Sequence, residues 1–242
     1  YSFGAESMID KQASIRYELR QHAFFDGIED TALDDLISIS QIRIIKSRNA
    51  ICRQGEEAEH MYVILSGRVK IYTTSQGGKE TVLTFMGPGD VLGEIAILDG
   101  GVRTASAQTI EESRILLISR AGFLRYLETH AKVALNIIRV LCTRLRKTDE
   151  FVEEMTTLQA GPRLAKALLR LASQYGQDQD DGTILIDIKL SQANLGAHAG
   201  LMRENVNRQL KHWEEEGILL TNSGVITLCS PQALEDIASE SE

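Results

Sequence analysis

The chain has 242 residues, 43% of them hydrophobic and 25% charged, the balance of a soluble globular protein that can form a core without disulfides or metals. It has no apolar run of about 18 residues or more, so no membrane span is expected, and no basic stretch leading into an apolar one at its start, so no secretion signal is expected. The net charge is −8, and from Gly161 onward 7 Lys and Arg face 12 Asp and Glu, a net of −5, so a nucleic-acid partner can be argued only from a local array of basic side chains.

Residues 16–40 read as short helices, with Asp30 and Thr31 as start signals and Leu33, Leu36, Ile37 and Ile39 as the apolar face. From Ile42 to Ser119 short apolar runs alternate with turn residues, the pattern of a barrel or roll. His60–Ser66 and Arg68–Thr74 are strand-like and are expected to form a hairpin at Ser66-Gly67. Glu80–Phe85 follows a Gly77-Gly78 turn, Met86 to Asp90 makes a third turn cluster, and Ser113–Ser119 is a last strand.

A short helix over Arg120–Glu128 and a long one over Lys132–Gln159 follow. In the long helix Ile138, Leu141, Leu145, Thr148, Val152 and Met155 recur at spacings of 3 and 4, a seam carried over about two and a half heptads. Arg144, Arg146, Lys147, Glu150, Glu153 and Glu154 lie off it. Such a helix seeks a partner, and the simplest partner is the same helix of a second subunit. Gly161-Pro162 is expected to end it, with Gly161 supplying a permissive dihedral and serving as a hinge.

Arg163–Tyr175 then reads as a helix, 176–182 as a polar loop, and Ile184–Ile188 as a strand. Ser191 to Glu216 is helical with a break at Gly200. Leu219-Leu220, Asn222-Ser-Gly224 and Val225–Leu228 make a hairpin. The expected fold class is α+β in three parts: a β-rich domain over 1–129, a long helix over 130–160 and a C-terminal domain over 161–242.

Two segments carry chemistry. The first is Gly93-Glu94-Ile95-Ala96, six residues, then Arg103-Thr104-Ala105. A cyclic phosphodiester on a ribose needs a guanidinium for its buried charge, an acceptor for its 2′-hydroxyl, and backbone N–H groups of a tight turn. This segment closely resembles the phosphate-binding cassette of the CRP/FNR family. The resemblance implies Glu94 on the ribose hydroxyl, Arg103 on the cyclic phosphate, Thr104 as a second phosphate ligand, and Gly93, Ile95 and Ala96 shaping the turn. It also implies that Thr148 meets the adenine amino group. Asp149 stands at a position where the family often has a serine from the other subunit, a departure that bears on nucleotide choice, because an ionised Asp only accepts hydrogen bonds. The expected ligand is cAMP, with cGMP kept open.

The second segment runs from Ser191 to Ile218. Ser191 can cap a helix, Gly200 suits a tight turn, and Leu195, Leu201, Val206 and Leu210 can lock two crossing helices with Gly196 and Ala199 permitting close approach. This is a helix-turn-helix pattern. Its second helix opens with Arg203-Glu204-Asn205-Val206-Asn207-Arg208, where Arg suits guanine and Glu suits the cytosine amino group. The family resemblance implies Arg203, Glu204 and Arg208 as base readers, Ser191 and Gln192 as further DNA contacts, and half-sites of TGTGA type. A family polar position is Ala193 here, which puts one phosphate contact in doubt.

The resemblance covers about Phe24 to Leu228, and regulators of alphaproteobacteria look especially close. It implies a β-roll cyclic-nucleotide-binding domain, a dimerisation helix and a winged helix-turn-helix. A palindromic operator, a homodimer, RNA polymerase as partner and a cytoplasmic location follow from it. No metal, haem or iron–sulfur cluster is expected: Cys52, Cys142 and Cys229 are dispersed and the five His show no ligand spacing. Nor is an enzyme expected, since GxxxxGK[ST], HExxH and GxSxG are absent. The competing readings are a haem or redox sensor of the same architecture and a nucleotide-binding module that docks on protein.

Overall fold

The computed structural model describes residues 8–78 and 80–239, which fall into two compact units, one running to Leu145 and one starting at Arg146. The division lies inside the longest helix.

The first unit opens with α1 (Met8–Arg20), a single 3-10 turn (Ala23–Phe25) and α2 (Asp30–Ser38). Eight strands follow: β1 (Ser40–Ile45), β2 (Ala50–Cys52), β3 (His60–Ser66), β4 (Val69–Thr74), β5 (Glu80–Met86), β6 (Val91–Leu92), β7 (Ser106–Thr109) and β8 (Ser113–Ser119). A short helix, α3 (Glu94–Asp99), separates β6 from β7. Two four-stranded antiparallel sheets result, in the orders β1-β8-β3-β6 and β2-β7-β4-β5.

Strand periodicity explains why β3 and β8 are apolar on both faces. Met61, Val63, Leu65, Leu116 and Ile118 pack against Leu19, Phe25, Leu33 and Phe123 of the helices. The alternate residues Tyr62, Ile64, Ile115 and Leu117 join Val69, Ile71, Met86 and Ala107 in a second core within the roll. After β8, Ser119 caps α4 (Arg120–Thr129), and α5 (Ala131–Thr157) begins. The Tyr126 hydroxyl donates to the Ala32 carbonyl at 2.8 Å, and buried Asn136 donates to the Phe24 carbonyl at 2.8 Å, so both helices are tied to the N-terminal segment.

The expected Ser66-Gly67 hairpin does not form. β3 and β4 belong to different sheets, and β3 pairs with β8 and β6. Gly67 (φ 89°) turns a corner between the sheets, so close to the β8 side that an added Cβ would lie 2.6 Å from the Glu112 carbonyl oxygen.

The second unit takes the rest of α5 and then α6 (Ala160–Tyr175), β9 (Gly176–Asp178), β10 (Ile184–Ile186), α7 (Gln192–Ala199), α8 (Arg203–Glu215), β11 (Leu219–Asn222), β12 (Val225–Leu228) and α9 (Pro231–Ser239). Its sheet runs β11-β12-β10-β9. Leu164, Leu168, Leu171, Leu195, Val206, Leu210, Trp213, Leu228 and Leu234 are buried here.

Gly161 is not the dihedral break. It lies in the first turn of α6 and has no positive φ. The helix is interrupted at Leu158 and Gln159, where Gln159 is extended (φ −69°, ψ 174°) as the N-cap. Pro162 then occupies the first turn of α6, where its missing N–H costs nothing. Glu154, which lies off the seam, is buried and accepts from Arg170 at 2.7 Å through both carboxylate oxygens.

Candidate functional site

The Gly93–Arg103 segment is shaped by two left-handed glycines. Gly93 (φ 79°) leads from β6 into α3, and Gly100 (φ 79°) ends that helix. A Cβ on Gly93 would collide with the Arg103 guanidinium, so glycine is required for the side chain to pass. The resulting fold buries a carboxylate and a guanidinium nine residues apart in sequence. Glu94 is 2% exposed and Arg103 3% exposed.

These two side chains do not pair with each other. One Glu94 oxygen, Oε1, accepts from Arg144 of α5, whose guanidinium also donates to the Val91 carbonyl. The Arg103 guanidinium donates to the Gly93 carbonyl at 2.9 Å, to the His60 carbonyl and to the Tyr62 hydroxyl at 3.4 Å, and lies 5.1 Å from the Tyr62 ring centre. Among the described residues no carboxylate pairs with it. Within this cassette, Glu94 Oε2 and Arg103 Nε are buried without a hydrogen-bond partner among the described residues. An unpaired acceptor and an unpaired donor in one buried cassette fit a ligand that offers a hydroxyl and an anionic oxygen.

Ala96 packs into the core, while Ile95 is 38% exposed and Thr104 is exposed beside Arg103. A cavity of about 190 Å³ reaches Arg103 from the side of Ile51, Cys52, Glu56, Glu57, Glu59, His60 and Tyr62, and touches no other cassette residue. Burial raises the Cys52 thiol and the Tyr62 phenol above their ordinary pKa values, with the Arg103 charge opposing both shifts. Both groups therefore stay neutral near pH 7. Thr148 and Asp149 lie exposed on α5 in the second unit. Among the described residues, no three His, Cys, Asp or Glu side chains gather as metal ligands would.

Arg144 escaped sequence reasoning, which placed it only on the charged flank of the long helix. The available signal was the demand of Glu94: a buried carboxylate calls for a cation from some other element.

The second unit builds the helix pair as its sequence implies. The Ser191 hydroxyl accepts from the Asn194 backbone N–H at 3.1 Å and caps α7. Gly200 (φ 69°) ends α7, and the Leu201 N–H donates to the Gly196 carbonyl at 2.7 Å. A Cβ on Gly196 would lie 2.8 Å from the Leu201 carbonyl oxygen and 3.2 Å from Val206, so the small residue sets how closely α7 and α8 approach. Val206, Leu210 and Trp213 form the buried stripe of α8. Arg203, Glu204 and Arg208 are exposed on its other side, with Arg208 donating to Asn205 Oδ1 at 3.2 Å. Gln192 is the first residue of α7 and donates to Asn207 of α8 at 3.0 Å. The turn at Ser223 and Gly224, both left-handed (φ 52° and 86°), joins β11 to β12 as a type I′ hairpin turn requires.

Comparison with known proteins divides the chain at the same two features. Residues 42–130 match the cyclic nucleotide-binding domain family, and residues 162–237 match the Crp-like helix-turn-helix domain family. The chain is 32% identical over 199 residues to the CRP-like cAMP-activated global transcriptional regulator of Mycobacterium tuberculosis, covering 82% of this chain and 88% of that protein. It is 32% identical over 214 residues to the cyclic AMP receptor protein of Thermus thermophilus, covering 88% and 95%. Among solved structures it is similar to the catabolite activator protein of Thermus thermophilus (TM-score 0.52, 32% identity, 89% and 97% covered). It also shares the fold of FixK2 from Bradyrhizobium japonicum (TM-score 0.72, 22% identity, 84% and 100% covered).

Proposed function

The chain belongs to the CRP/FNR family of transcription regulators, and from that membership and the site geometry we propose that it is a homodimer whose DNA binding is switched by cAMP. Glu94 Oε2 takes the ribose 2′-hydroxyl and Arg103 the cyclic phosphate, with Thr104 as a second phosphate ligand and Gly93, Ile95 and Ala96 forming the turn. Arg144 holds the Glu94 carboxylate in place through Oε1. Thr148 meets the base, with Asp149 beside it. The carrying observation is the pair of buried unpartnered atoms, Glu94 Oε2 and Arg103 Nε.

In the second unit Arg203, Glu204 and Arg208 read base edges in TGTGA-like half-sites about one helical turn apart, roughly 34 Å, while Ser191 and Gln192 make further DNA contacts. α5 is the dimerisation element between the two domains, RNA polymerase is the downstream partner, and the protein works in the cytoplasm as a regulator without enzymatic activity. No helix among the described residues is long and apolar enough to cross a membrane.

Isothermal titration calorimetry tests the ligand. Wild type binds cAMP more tightly than cGMP, and Arg103→Ala weakens cAMP binding by at least about tenfold, since each charge-assisted bond lost is worth roughly 1.5–3 kcal/mol. Circular dichroism confirms that the variant is folded. No heat from either nucleotide with wild type would refute the reading.

A further inference from the structure

We propose that Gln192 and Asn207 act together as one base-reading unit that selects adenine at a single position of each half-site. The inference rests on the reading that α8 enters the major groove.

At 100° per residue, the buried stripe of Val206, Leu210 and Trp213 puts Glu204, Arg208 and Lys211 at the centre of the opposite face. Asn207 is exposed on one flank of that face, the same flank as Arg203 one turn earlier. That flank meets the start of α7, where Gln192 Nε2 donates to Asn207 Oδ1 at 3.0 Å. The bond links the two helices through residues 15 apart in sequence.

The chemistry follows from what the bond leaves over. A primary amide has two donor hydrogens and one carbonyl acceptor. This contact occupies the Asn207 carbonyl and one Gln192 hydrogen. It leaves the Asn207 Nδ2 hydrogens as donors and the Gln192 Oε1 as acceptor, from two side chains that hold each other in place. A donor beside an acceptor complements adenine, whose major-groove edge offers N7 as acceptor and N6 as donor. Guanine offers two acceptors, N7 and O6, and would set its O6 against the Gln192 carbonyl. Both amides are neutral, so the pair adds discrimination without general attraction to phosphates. That suits a domain whose formal charge from Gly161 onward is −5.

The test measures equilibrium competition for a symmetric operator, with the full chain and cAMP in excess, against every single-base change in the half-site. Wild type should prefer A over G by about tenfold at one position next to that read by Arg203. Gln192→Ala and Asn207→Ala should each reduce that preference to within about twofold at the same position, and the double variant should go no further. Preferences at the positions read by Arg203, Glu204 and Arg208 should persist in all three. A uniform loss of affinity across all sequences, or flattening at two different positions, would overturn the proposal. A wild type with no sequence preference anywhere would overturn it together with the DNA-reading assignment, whereas preferences at every position but this one would overturn it alone.

Discussion

Arg103 is held by two backbone carbonyls and a phenol yet has no anionic partner among the described residues, while Glu94 close by is satisfied on one oxygen by Arg144. A buried charge without a counter-charge costs several kcal/mol, and an incoming anion offsets that cost. The two cassette residues were legible in the sequence because the turn gathers them within ten positions. Arg144 was not, because its contact spans 50 positions and depends on how α5 lies against the roll. Another residue gives a pH prediction. Burial, with a smaller contribution from the Arg170 charge, pushes the His198 pKa down to about 4. An unfolded histidine titrates near pH ~6.5, so between these values the unfolded chain binds a proton that the folded chain refuses. The second unit should lose stability as pH falls from about 6.5 toward 4. The buried Trp213, the chain's one tryptophan, reports this by fluorescence melting. His198→Gln should flatten the profile, and an unchanged profile would count against the assignment.

The elements divide by how much of their burial pattern is local. β3 and β8 declared themselves because both of their faces are apolar. β9 did not, since Gly176–Asp178 is exposed throughout and owes its strand character to pairing with β10. α9 was missed although Pro231 at its first position and Leu234 and Ala238 four apart carried the signal. The Ser66-Gly67 turn was legible as a turn, but the sequence does not say which sheet the next strand joins. Gly67→Ala should therefore destabilise the protein by more than the ~1–2 kcal/mol of a left-handed alanine, because the added carbon also meets the β8 side; chemical denaturation measures this, and an unaffected midpoint would contradict it. In α5 the seam residues Ile138, Leu145, Val152 and Met155 stand 54%, 62%, 56% and 40% exposed. Apolar side chains repeating on one stripe and left open to water fit a helix that pairs. Leu145→Glu should convert a sedimenting dimer to monomers, and a wild-type monomer would contradict the assignment.

At the scale of the whole molecule, one unit carries the cyclic nucleotide-binding domain and the other the helix-turn-helix. Sequence reasoning reached both ends because each is a contiguous motif with its own glycine-dependent turn, at Gly93 and at Gly200. Their coupling is a property of populations rather than of any motif. The ligand shifts the equilibrium only by its different affinities for the two states, typically 1–3 kcal/mol or about 5–150-fold. Fluorescence anisotropy of a labelled palindromic operator, titrated with the full chain in the presence and absence of cAMP, tests this most directly. Binding should be at least about fivefold tighter with cAMP, and Arg103→Ala should lose that gain. Equal operator affinity in both conditions would contradict it.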